Sequence, residues 1–424
     1  MNRYLYRIQE LQVEDSHSLF FLQSTLFETT LLPNLRVLKW NQQRNGTLMY
    51  IKPLVCPSLT VLDIIAYEID EKALSSLFRT LPSICPGLKT INFSTDSPYY
   101  KDFKDPLSQA LCSINDLKCL TIHTAVEDIA MEHILMSPKL EELTLATNPN
   151  QLAEFIPTPS DTVIPLRNVK KLDLWLAELS FITKFLRPDH QKFDDMAIHL
   201  HKLELPPVIG FFFDRLASQT DKSPLQSLRI DSRELDPRRD VAPYALTLDV
   251  FRPLSFLRNL WKLSIQIENP ISVSDEELAG IARGWRSLEV LDLCCIRRSP
   301  AKWITLNGLL LLAAACPKLR EIALTLDARE VPTKVGVPEG SQFDTVTAVS
   351  FPNSPIEDTT AVGQLLVAYF PSLTSDGKWR TFRWGQAWGG DRDAPQWGGV
   401  WKHIDEDTRS DAEDGDSDDI YGSF

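Results

Sequence analysis

Apolar residues fall along this chain in a recurring triplet at positions i, i+3 and i+5, and then return at every third or fourth position. Clear triplets are Leu35/Leu38/Trp40, Leu59/Leu62/Ile64, Leu88/Ile91/Phe93, Leu117/Leu120/Ile122, Leu140/Leu143/Leu145 and Val169/Leu172/Leu174. They continue with Leu200/Leu203/Leu205, Leu225/Leu228/Ile230, Leu260/Leu263/Ile265, Leu288/Leu291/Leu293 and Leu319/Ile322/Leu324. Weaker ones are Ile8/Leu11/Val13, Val346/Val349/Phe351 and Trp379/Phe382/Trp384, which makes fourteen starts at intervals of 23 to 35 residues. Residues two apart in a strand share a face, so i+3 and i+5 predict a short strand with one buried side. The following segments carry helical spacing, as in Leu74, Leu77, Phe78 and Leu81, or Leu107, Ala110, Leu111 and Ile114. Ser274 with Glu277 has the form of a capping box.

A proline precedes many triplets by two residues, in "CPSL" from Cys56, "CPGL" from Cys85, "SPKL" from Ser137 and "CPKL" from Cys316. Proline lacks the N–H that a continuing helix needs, so it marks the helix end. Each unit thus reads as strand, turn, helix and proline stop. One unit cannot bury its own apolar side, so neighbours stack into a parallel ladder of strands with helices behind.

The pattern resembles the leucine-rich repeat L-x-x-L-x-L-x-x-N/C. Asn148 fits the last position, whereas Tyr67, Asp96, Ala177 and Asp327 occupy it elsewhere. The resemblance implies an α/β leucine-rich-repeat solenoid, a horseshoe with its strands on the concave side and its helices on the convex side. The expected organisation is 12–14 irregular units over residues 1–384, a Trp/Gly-rich cap at 385–404 and a disordered acidic tail at 405–424. The cap holds part of a run of five tryptophans, Trp379, Trp384, Trp388, Trp397 and Trp401, and a peptide-binding surface is the other reading of that run.

Charge changes the picture at the carboxyl end. The formal charge is −13, and residues 405–419 carry nine acidic residues and one arginine, which leaves about −5 for the rest. Such a chain fits neither a nucleic-acid ligand nor an anionic membrane surface. The longest apolar run, Leu309 to Cys316, is too short to span a bilayer, and the first residues lack a secretory signal's apolar stretch. The expected setting is the cytoplasm or nucleus, and the expected state a monomer. Seven cysteines without a C-x-x-C pair suggest neither a disulfide framework nor a zinc site. Catalytic motifs and cofactor motifs are absent, so no cofactor is expected. His199 and His201 read as surface or packing histidines, with a metal site as the other possibility.

With i+3 and i+5 buried, positions i+2, i+4 and i+6 face a partner. These give Lys171, Asp173 and Trp175, then Lys202 and Glu204, Arg229 and Asp231, and Lys262. The lysines and arginine form either a basic patch or a salt ladder neutralised by Asp173, Glu204 and Asp231. Trp175 is either an interface anchor or a packed residue.

"CP-x-L-x-x-L-x-L" and the stretch "SDEELAGIARGWRSLEVLDLCC" resemble the repeats of fungal F-box/leucine-rich-repeat proteins, as does "SPIEDTTAVGQLLVAYFPSL" before the tryptophan-rich segment. The resemblance covers residues 1 to about 404. It implies a protein-binding, non-enzymatic substrate receptor of a cullin–RING ubiquitin ligase, whose F-box holds an adaptor while the repeats hold the substrate. Residues 1–34 contain no L-P-x-E motif with a following helical run. The expectation is either a fragment or shortened gene model, or a chain without the adaptor-binding module that serves as an adaptor-independent scaffold.

Overall fold

Alternation of apolar and polar residues within each triplet becomes, in the computed structural model, a run of parallel strands. The structure describes residues 5–14, 30–42, 50–66, 71–95, 103–146, 165–186, 191–218, 224–232, 241–295, 302–373 and 397–404. The chain divides into two compact units, Met1–His201 and Lys202–Phe424.

Among the described residues, the first unit carries β1 (Glu10–Val13), β2 (Val37–Gln42), β3 (Val61–Ala66), β4 (Thr90–Thr95), β5 (Cys119–His123), β6 (Glu142–Leu145), β7 (Lys171–Leu176) and β8 (Asp195–Leu200). Every strand pairs in parallel with the next, and the i+3 residues stay in step from Leu11 and Leu38 through Leu143 and Leu172 to Met196. Between them lie α1 (Glu71–Ile84), α2 (Lys104–Ser113), α3 (Asp128–Met136) and α4 (Ser180–Phe185). The i+3 and i+5 side chains point toward the helices. Phe93 on β4 meets Phe78 of α1 edge to face at 5.3 Å and Phe103 at 5.5 Å, a geometry that aromatic rings prefer.

The second unit repeats the plan with β9 (Ser227–Ser232), β10 (Lys262–Ile267), β11 (Val290–Cys295), β12 (Glu321–Leu324) and β13 (Ala348–Ser350), again parallel in chain order. Its helices are α5 (Pro206–Ala217), α6 (Leu248–Phe251), α7 (Asp275–Ala282), α8 (Leu306–Ala315), α9 (Thr359–Tyr369) and α10 at 397–404. Ser274 and Glu277 form the expected capping box at the start of α7. Repeat joins repeat through polar links as well. Asp275 at the first turn of α7 accepts from the Thr305 N–H at 2.8 Å and the Thr305 hydroxyl at 2.6 Å, fixing the start of α8. In α10, Trp397, Val400 and Ile404 are buried; the Trp397 ring lies 4.8 Å from Phe351 and its indole N–H donates to Ser354 O at 3.0 Å.

The chain is an α/β leucine-rich-repeat solenoid. Twelve of the fourteen expected strand starts fall in the expected register. The start at Trp379 lies outside the described residues, as do Trp384, Trp388 and the acidic tail from 405 onward.

The start at Leu200 is wrong by seven residues. The strand is Asp195–Leu200, and the residues that match Val169, Leu172 and Leu174 are Phe193, Met196 and Ile198. Phe193, Met196 and Ile198 are buried, whereas Leu205, expected in the core, is 52% exposed. Pro206 lies in the first turn of α5, where its fixed φ suits a helix start, so the chain after Leu200 turns into a helix rather than a strand.

Candidate functional site

On the face of each sheet turned away from the helices stand the i+2, i+4 and i+6 side chains. In the first unit this face stays partly open. Lys171 is exposed, Asp173 and Trp175 are half-buried, and Asp195 is exposed. The parallel register sets three rows across β5–β8: Cys119, Glu142, Lys171 and Asp195; then Thr121, Thr144, Asp173 and Ala197; then His123, Ala146, Trp175 and His199.

The third row gathers aromatic rings around Trp175. Its centroid lies 5.2 Å from that of His199 on the next strand and 6.0 Å from that of His201, just beyond that strand. On the other side it lies 6.1 Å from His123, two strands away. Between them stands Ala146, whose methyl group leaves room for the two larger rings to meet above it. Asp173 brings a carboxylate to the same place: His199 Nε2 stands 3.1 Å from Asp173 Oδ1, out of line for a regular hydrogen bond.

Of the two readings of the lysines and arginine, the basic patch does not form. Lys171 is held by Glu142 at 2.7 Å on the neighbouring strand, and this contact, more than Asp195 on its other side, raises the lysine's affinity for its proton. Lys202 and Glu204 belong to no strand, because the register of β8 places Asp195 and Ala197 at the positions assigned to them. Glu204 is buried rather than facing a partner. Arg229 and Asp231 are in place on β9 but satisfy each other, the guanidinium reaching Asp231 Oδ2 with Nε at 3.0 Å and Nη2 at 2.9 Å. Lys262 is half-buried on β10. Exposed ion pairs of this kind contribute little to stability.

On the corresponding face of the second unit Arg229 is exposed and Lys262, Gln266, Val290 and Glu321 are half-buried, but its middle is closed. Ser264, Asp292, Cys294 and Ala323 are all below 5% exposure. Asp292 Oδ2 accepts from Ser264 Oγ at 3.2 Å and from the Gln266 amide, while Oδ1 lacks a hydrogen-bond partner. Burial pushes this carboxyl above the usual carboxylate range, against the pull of the Cys294 thiol, Gln266, Ser264 and the Arg229 charge. A carboxylate in that setting costs stability unless protonated.

Among the described residues no group of three or more His, Cys, Asp or Glu is arranged to hold a metal ion, which includes His199 and His201. A shallow hollow lies on α1, over Glu71, Ser75 and Arg79, and a gap between Phe251, Ile281 and Trp285 is an apolar seam of the core. Among the described residues no helix is long and apolar enough to cross a membrane.

The sequence reading did not group His123, His199 and His201 with Trp175. The signal was present, since His123 and His199 fall at i+6 like Trp175, but it emerges only when β8 is started at Phe193.

No protein-family model matches the chain, and no curated protein matches it. Among solved structures it is similar to an internalin from Listeria monocytogenes, at 14% identity and a TM-score of 0.43 over 86% of each chain. It is also similar to the yeast complex of Rad7 and Elc1, at 14% identity and a TM-score of 0.42 over 77% of each chain. At that level the likeness speaks to neither a site nor a partner.

Proposed function

We propose that the chain is a non-catalytic protein-interaction module, and that the open face of the first unit, around Trp175, holds a protein partner. The observation that carries this reading is the placement of a tryptophan on the face turned away from the core, ringed by three histidines and one carboxylate. Solenoids present such faces as extended binding surfaces, and tryptophan is enriched at interface hot spots.

The finer reading is that of a substrate receptor resembling the fungal F-box/leucine-rich-repeat proteins. It rests on the "CP-x-L-x-x-L-x-L" repeats and on "SDEELAGIARGWRSLEVLDLCC". A scaffold that works without the ligase adaptor is the second reading. In either case residues 397–404, the described part of the expected cap, close the end of the array, a role supported by the burial of Trp397, Val400 and Ile404.

A photo-crosslinking residue at Asp195, compared with one at Arg79 on α1, tests the face. Adducts from position 195 alone are expected, and adducts from 79 alone would sink the reading. Trp175→Ala should weaken the crosslinked partner by at least about tenfold, the scale of a hot-spot truncation, with little change in thermal midpoint. Equal loss of both would make Trp175 a packing residue. Co-purification with the F-box-binding adaptor separates the receptor from the scaffold.

A further inference from the structure

Charge on the open face of the first unit is one-sided. Across β1–β8 the positions turned away from the helices hold Glu10, Glu14, Asp63, Glu142, Asp173 and Asp195. Against these six carboxylates stand two ammonium groups, Lys39 and Lys171, which leaves a formal −4 with the imidazoles neutral. Both lysines are already engaged, Lys39 with Glu10 at 2.9 Å and Lys171 with Glu142 at 2.7 Å. The sign is opposite to that of a basic patch, one of the two readings the sequence left open, because Asp195 occupies the place that Lys202 had been given.

The imbalance coincides with the aromatic group. Glu142, Lys171 and Asp195 follow one another on one row, Asp173 stands on the next, and Trp175 with His199 on the third. Carboxylates beside an indole are the chemistry that receives a guanidinium or ammonium group: charge-assisted hydrogen bonds on one side, the ring's negative π-face on the other. A polyanion would be repelled.

Resting on the interaction reading above, we propose that this face takes a lysine- or arginine-rich segment of a protein partner, with its cationic side chains standing among Asp173, Asp195 and Glu142 beside Trp175. Opposite charge of this kind speeds encounter and excludes wrong partners more than it adds contact energy.

The histidines give the proposal a second signature. The charged and titratable groups facing Trp175 are His123 and Cys119 from β5, Glu142 from β6, Lys171 and Asp173 from β7, Asp195 and His199 from β8, and His201. With neutral imidazoles and thiol, three carboxylates and one lysine leave −2 there. Three charged imidazoles turn that to +1. Histidine ordinarily changes charge between about pH 5 and 8, so acidification should weaken the hold on a cationic segment.

The test uses the full chain and two synthetic twelve-residue peptides, one alternating arginine with serine and one alternating glutamate with serine, titrated by calorimetry. The expected result is binding of the arginine peptide alone, weakened about tenfold or more by Asp173→Asn with Asp195→Asn, and weakened again between about pH 7.5 and 5.5. Lys171→Glu, which adds a carboxylate without removing one, should instead tighten binding several-fold. Preference for the glutamate peptide, or arginine-peptide binding that ignores all three substitutions, would overturn the proposal. A crosslinked partner whose segment at position 195 is acidic also overturns it, yet leaves the interaction reading standing. Crosslinks confined to the helical face overturn that reading instead.

Discussion

The thiol of Cys85 donates to the backbone carbonyl of Cys56, 3.0 Å away and one repeat earlier. Cys56 does the same to Leu35 O at 3.3 Å, and Cys316 to Ala282 O at 3.5 Å. In the repeat before Cys316 this position, three residues ahead of the triplet, is Trp285, and its indole N–H donates to Leu254 O at 2.9 Å. In these four repeats the position supplies a buried donor as well as apolar bulk, whereas Leu32, Ile114, Leu166 and Leu257 fill it elsewhere with apolar bulk alone. The donor adds a second bond to a carbonyl at the turn of the preceding repeat, since Cys56 O also accepts from Leu59 N–H, Leu35 O from Ser58 Oγ, Ala282 O from Trp285 N–H and Leu254 O from Leu257 N–H.

Thiol chemistry checks this arrangement. Burial pushes the thiols of Cys85 and Cys316 up to about 12, and the thiolate is the species that alkylates. Both should resist iodoacetamide in the native protein at about pH 8 and react only after denaturant is added. The half-buried Cys112 and Cys119 should be modified first. Peptide mass spectrometry reads the order, and native labelling of Cys85 at the denatured rate would contradict it.

A second expectation concerns close approach between repeats. Gly284 follows α7, and a Cβ there would lie 2.0 Å from the carbonyl oxygen of Ser255. Backbone on both sides leaves nothing to give way. Gly284→Ala should destabilise the protein by about 2 kcal/mol or more, as overpacking does. Gly87, whose added Cβ would meet nothing within 4 Å, is the control: Gly87→Ala should stay within about 1 kcal/mol of the parent. Urea midpoints rank the two, and a reversed order would refute the contact.

Asp292 supplies a pH dependence with a definite sign. Its carboxyl is held above the usual range by burial, so the folded chain keeps a proton that the unfolded chain has released. Its contribution to stability is present below the unfolded carboxyl value and is lost as pH rises through the folded one. Asp292→Asn should thus gain stability relative to the parent as pH is raised from about 4 to about 8. Denaturant midpoints at both ends measure it, and a parent that gained on the variant with rising pH would show the sign to be wrong.

These cases show what the sequence makes legible. Leu, Ile and Val at i, i+3 and i+5 give strand and core directly, because backbone periodicity alone decides which side is buried. β8 escaped because its core residues are Phe193, Met196 and Ile198, while a leucine-richer run stood seven residues later. A one-strand slip then displaced two assigned contact residues and hid the company of Trp175. The donor role of Cys56, Cys85 and Cys316 was unreadable for a different reason: spacing shows that they recur, but not that a carbonyl of the previous repeat lies within reach.

Those short backward reaches also say how the first unit should behave under tension. Cys56 and Cys85 are 29 residues apart, and the bond between their repeats links neighbours only. Pulled by its ends, the unit should part at one such junction at a time. Each rupture would release roughly 100 Å of extended chain, from about 3.4 Å per residue. The unit would act as a ratcheted spring, lengthening in near-equal strokes.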